Sequence, residues 1–125
     1  MQITIREPGS AITHLIGVIL SVLATTPLLI KVAVQDDHTA FIAMAIFMCS
    51  MVALYSASTI YHSVTVRDRI LRVFRKLDHM MIFVLIAGSY TPICLIVLGG
   101  KSGYTLLAVV WGIALAGMTI KACWI

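Results

Sequence analysis

Four apolar runs, separated by short polar connections, constrain this chain more than anything else in it. They cover about residues 11–34, 41–64, 77–98 and 104–121. At 1.5 Å per residue the first run alone reaches about 36 Å, beyond the roughly 30 Å hydrocarbon core of a bilayer. Inside lipid every backbone N–H and C=O must be satisfied within the spanning structure, which leaves helices or closed barrels. Uninterrupted runs of this length read as helices. Only 11% of the 125 residues are charged and 61% are hydrophobic, whereas a soluble domain is about 25% charged. The expectation is an all-α integral membrane protein of four transmembrane helices, forming one membrane domain in contact with the lipid bilayer. The first run is longer than the roughly 7–15 apolar residues of a cleaved signal and lacks a small-x-small cleavage site, so it reads as a retained span.

The net charge of +4 is therefore not a nucleic-acid signature. Arg67, Arg69, Arg72, Arg75 and Lys76 fall in one connection, and with Arg6 and Lys121 they make seven basic residues on one side. Lys31 and Lys101 make two on the other. The positive-inside rule then predicts a multi-pass protein of the cell membrane with the N-terminus and the basic loop in the cytoplasm. Ile70, Leu71, Val73, Phe74 and Leu77 interleave with those charges at helical spacing, which predicts a short amphipathic helix along the interface. Cys49, Cys94 and Cys123 lie in apolar runs without zinc-ribbon or redox spacing, and read as buried small hydrophobes. Trp111 lies too deep for an interfacial anchor.

Local punctuation adds detail. Glu7-Pro8 predicts a helix start, with Glu7 as a cap and proline in the first turn. Pro27 predicts a kink. Gly88-Ser-Tyr-Thr-Pro92 predicts a break in the third run, and Gly99 to Gly103 a tight turn.

Polar groups within the spans carry the functional signal, because ionisable residues in a membrane need a reason to be there. Glu7 and His14 stand at the start of span one, Ser58 and His62 at the end of span two, and Asp78 and His79 at the start of span three. Antiparallel spans bring all six to one membrane face. Tyr55, Ser58 and His62 share one helical face; His14, Gly17, Ser21 and Thr25 share another; Asp78 and Ser89 share a third. Three such stripes predict a polar pocket at the cytoplasmic end. A neutral histidine is a common metal ligand, and a carboxylate can accept a proton from metal-bound water. On that reading His62 is a ligand, Asp78 a base and Ser58 a contact to a ligand or substrate. The plainer readings are a histidine bonded to a neighbouring helix, Asp78 paired with Arg75 or another basic-loop residue at the helix N-terminus, and His79 facing the headgroups.

The combination of Glu7-Pro8 with Thr13-His14, Ser58-x-x-x-His62, Asp78-His79 and Ala87-Gly88-Ser89-Tyr90-Thr91-Pro92 resembles the haemolysin III family, the bacterial branch of the adiponectin and progestin receptor superfamily. The likeness runs from Glu7 to Lys121. It implies the first four helices of a seven-helix bundle. It also implies a cytoplasmic zinc held by a histidine at the end of helix two, matched by His62, and by two more in helix seven. Asp78 matches the acid that engages the zinc-bound water, and Ser58 the serine one turn before the ligand. The implied activity is zinc-dependent hydrolysis of a lipid amide within the membrane.

The sequence departs from that pattern in having no His-x-x-x-His pair, so two of the three implied zinc ligands are absent from these residues. Four spans would also leave open faces, which predicts self-association or instability of the isolated chain. The rival to the hydrolase is a non-enzymatic membrane protein, cytolytic, pore-forming or receptor-like, in which the polar cluster is structural. A four-span transporter ranks last, since no ionisable residue stands in the middle of a span.

Overall fold

The computed structural model describes residues 4–124; Met1–Ile3 and Ile125 lie outside them. The chain forms α1 (Pro8–Ala33), α2 (His38–Ser63), α3 (Asp68–Pro92), a π-helical extension of α3 (Ile93–Leu98) and α4 (Gly100–Trp124). All four helices are long and apolar enough to cross a membrane. The connections are so short that neighbouring helices must run antiparallel.

These helices form a row rather than a closed bundle. α1 packs on α2, α2 on α3 and α3 on α4, while among the described residues the backbone of α1 approaches neither α3 nor α4. The expected meeting of three stripes in one pocket is corrected accordingly: α1 and α3 both face α2 but not each other.

Each junction in the row is built around a glycine. A Cβ at Gly17 of α1 would lie 2.6 Å from the ring of Tyr55 of α2, one at Gly88 of α3 would overlap Ser50 of α2, and one at Gly117 of α4 would overlap Phe83 of α3. With no hydrophobic driving force between helices in lipid, close packing at small residues supplies the attraction. The hydroxyls on these faces mostly bond their own helix. Ser21 donates to the Gly17 carbonyl, Thr25 to that of Ser21, Ser50 to that of Ile46 and Thr59 to that of Tyr55, each at 2.6 Å. That satisfies a polar group in hydrocarbon without a partner helix. Thr91, 1% exposed, does more. It donates to the Ala87 carbonyl at 2.8 Å and accepts the indole N–H of Trp111 at 3.1 Å, joining α3 to α4. Trp111 is thus an internal bond, in keeping with its depth.

Several local expectations change. The basic segment is no separate amphipathic helix; Asp68 to Lys76 form the first turns of α3 itself. The helix does not break at Gly88 but stays α-helical to Pro92 and then widens into the π segment. Proline lacks the N–H for an α-helical bond and crowds the preceding turn, and a wider turn relieves this. The Gly99 N–H closes the widened turn on the Cys94 carbonyl at 3.0 Å. The turn itself shrinks to Gly99, because α4 begins at Gly100; both residues adopt positive φ, 63° and 58°. That conformation costs glycine little and other residues more. Of the cysteines only Cys94 is buried; Cys49 and Cys123 lie on the outer surface.

Candidate functional site

A helix leaves its last four carbonyls without intrahelical partners. At the end of α2 the N-terminal segment supplies partners for three of them, and the Val64 N–H serves the fourth, that of Ile60. The Arg6 guanidinium donates to the Tyr61 carbonyl at 2.6 Å, the Glu7 N–H to that of His62 at 2.9 Å, and the Arg6 N–H to that of Ser63 at 3.5 Å. Thr65 Oγ1 donates to the Thr4 carbonyl at 2.8 Å. Residues 4–7 therefore cap α2, across 55 positions of sequence.

The cap brings Glu7 to His62. One carboxylate oxygen accepts from His62 Nδ1, and the other pairs with Arg6 at 2.6 Å. The expectation that Glu7 caps α1 is corrected: it occupies the N-cap position, but its side chain makes no capping bond there. The His62 hydrogen bond, assisted by the charges of Arg6 and His62, holds the Glu7 carboxyl below the ordinary carboxylate value against the opposing effect of desolvation.

Because a carboxylate only accepts, His62 Nδ1 must carry the proton, and in the neutral ring the lone pair is on Nε2. His14 repeats the pattern, with its Nδ1 2.6 Å from the Ser10 carbonyl. The two imidazoles stack with centroids 5.3 Å apart and planes inclined by 23°. His14 also lies 6.1 Å from the Tyr55 ring.

Tyr61 completes the cluster. It is 9% exposed, and its ring lies under the Arg6 guanidinium at 4.4 Å from the centroid. Its hydroxyl accepts from Arg75 Nε at 3.0 Å. Arg75 belongs to α3, one turn before Asp78, so this bond sets the start of α3 against the end of α2. Arg6 and Tyr61 were not singled out from sequence; the one available signal was an Arg-Glu pair immediately before a span.

Ser58 is 4% exposed, one turn before His62 on the inner face of α2. Asp78 is 9% exposed on α3. The Asp78–Arg75 pairing is not formed among the described residues, where Arg75 is committed to Tyr61. His79 is half-buried, and its Nδ1 is covered and has no hydrogen-bond partner among the described residues. His62 thus has one ring nitrogen bonded to a carboxylate, an arrangement also general among metal-ligating histidines. Among the described residues no three histidine, cysteine or acidic side chains gather closely enough to hold an ion. These residues fit a single ligand and do not fit a complete zinc site.

Four membrane-length helices in an antiparallel row, with a charged cluster at one end, define a multi-pass α-helical membrane protein. The model of the family described as haemolysin-III related matches residues 2–125, and the chain belongs to that family. It is 41% identical over 120 residues to Hemolysin-3 of Bacillus cereus, covering 96% of this chain and 54% of that protein. It is 43% identical over 119 residues to the Hemolysin-3 homolog of Bacillus subtilis (strain 168), covering 94% and 55%. The chain thus spans about half the length of these curated relatives. No solved structure matches it.

Proposed function

We propose that this chain carries part of the site of a haemolysin III-type hydrolase of the cell membrane, acting on a lipid amide, with both ends of the four-helix row in the cytoplasm. The observation that supports this reading is the Glu7–His62 pair. A histidine held at Nδ1 by a carboxylate is oriented as metal-ligating histidines generally are. His62 is then one ligand of a zinc ion, with further ligands from outside the residues that gather here. Bound zinc would supply an acidified water. The chain's own residues have separate tasks. Glu7 fixes the tautomer and direction of the His62 ring, and Arg6 fixes Glu7. Asp78, buried and unpaired among the described residues, holds or accepts a proton. Ser58 contacts the ligand or the substrate carbonyl. The outer faces of the row support a further proposal, self-association in detergent, which a monodisperse monomer on size-exclusion chromatography with light scattering would refute.

Metal content tests the central assignment. Purified full-length protein, with the further ligands present, is expected to hold about one zinc per chain, lost in His62→Ala and weakened about 10–100-fold in Glu7→Gln. Zinc retained unchanged in His62→Ala would remove His62 from the site. Full-length wild-type protein that takes up no zinc would favour the non-enzymatic reading.

A further inference from the structure

The whole net charge of this chain sits in ten residues. Between Arg67 and Lys76 five basic side chains accompany one acid, Asp68; elsewhere four cations balance four acids. This segment forms the first turns of α3, immediately before the apolar part of that span. Arg69, Arg72, Val73 and Lys76 recur at i, i+3, i+4 and i+7 and so share a face. They line a groove of about 290 Å³.

The side chains in that groove are largely uncommitted. Arg69 and Arg72 are exposed, and the ion pairs among the described residues involve only Arg6, Glu7 and His62. Lys76 donates to the Ala122 carbonyl of α4 at 2.8 Å. That anchors its ammonium at the α3–α4 junction and leaves it two further N–H groups. Val73, 54% exposed, adds an apolar surface beside the charges. Lys121, in the last turn of α4, adds positive charge at the same end.

Orientation by the positive-inside rule needs only a count of basic residues and is indifferent to where they point. Three cations around one groove beside an exposed valine at the lipid boundary are more than a count. We propose that this groove binds the phosphodiester headgroup of an anionic phospholipid. Arg69 and Arg72 would take phosphate oxygens through their planar guanidinium forks and Lys76 would add a point charge. Val73 would lie against the glycerol and upper acyl region. Basic pockets at membrane-helix junctions suit this ligand class, and the proposal stands apart from any chemistry at His62.

Native mass spectrometry of the purified protein, equilibrated in detergent with phosphatidylcholine and phosphatidylglycerol, tests it. The wild type is expected to retain phosphatidylglycerol preferentially, and less so as salt screens the charges. Arg69→Gln/Arg72→Gln is expected to lose the preference at least about tenfold. Arg67→Gln, which removes a charge outside the groove, is expected to keep most of it, whereas Arg69→Lys/Arg72→Lys, which keeps both charges but not the guanidinium forks, is expected to lose part of it. Equal retention of both lipids by the wild type would overturn the proposal. So would an unchanged preference in the double glutamine variant, or an equal loss in Arg67→Gln. Displacement of the lipid by inorganic phosphate at matched concentration would identify a free-anion site and overturn the lipid assignment.

Discussion

Glu7 and His62 meet at the end of α2, with the carboxylate on the imidazole Nδ1 and the Glu7 N–H on the His62 carbonyl at 2.9 Å. The same residue thus caps the helix and orients the side chain on its last turn. A side-chain substitution at Glu7 alters the contact to the ring and leaves the backbone N–H cap in place.

The pH dependence of that contact has a definite sign. The folded state holds the Glu7 carboxyl below its ordinary value, chiefly through the His62 hydrogen bond. Its stabilisation is therefore fully present above the unfolded carboxylate pKa and is lost as pH falls through the lower, folded value. In chelator-treated protein, thermal unfolding in detergent should show an acid-side decline that is shallower in Glu7→Gln. Identical acid limbs in the two proteins would mean that the contact contributes nothing to stability.

Gly88 and Ser50 make a second tight contact, this one between α3 and α2. A Cβ at position 88 would lie 2.7 Å from the Ser50 Cβ. Gly88→Ala should destabilise the protein by about 1–3 kcal/mol, as overpacking generally does. Ser50→Gly should recover most of that loss when combined with it, giving a strongly non-additive cycle. Denaturant titration in detergent measures it, and simple additivity would show that the two positions do not meet.

Trp111 and Thr91 tie α4 to α3 through one hydrogen bond. Trp111→Phe removes the donor while keeping an aromatic ring, and should cost about 0.6–1.7 kcal/mol, the range for polar bonds between membrane helices. Adding Thr91→Val should cost little more in the Phe background than the lost Ala87 bond alone. A full second penalty would argue against the contact.

Orientation is open to direct labelling. With both ends of the row in the cytoplasm, Gln35→Cys in the α1–α2 connection, in a background with the three native cysteines replaced by serine, should react with a membrane-impermeant maleimide in intact cells. Val66→Cys, in the α2–α3 connection, should react only after permeabilisation. The reverse pattern would invert the topology.

The spans were legible in the sequence because hydrocarbon leaves the backbone few solutions, so a run of apolar residues of sufficient length is a helix almost wherever it packs. The inner faces were legible for a related reason. His14, Gly17, Ser21 and Thr25 recur at helical spacing, and the structure turns that stripe toward α2, where Gly17 receives Tyr55. Pro92 was visible as a perturbation, but whether it breaks a helix or widens one depends on how the next turn closes. Here Gly99 closes it on Cys94.

What only the tertiary structure decided is the company His62 keeps. Orphan carbonyls at a helix end accept any donor that reaches them, and nothing local names the donor. Arg6 and Glu7 reach the end of α2 because α1 and α2 are antiparallel and equal in length, 26 residues each. That equality returns the chain to the same membrane face 55 residues later. The sequence determined that polar residues gather at one end of four membrane helices; the packing of those helices determined which of them touch.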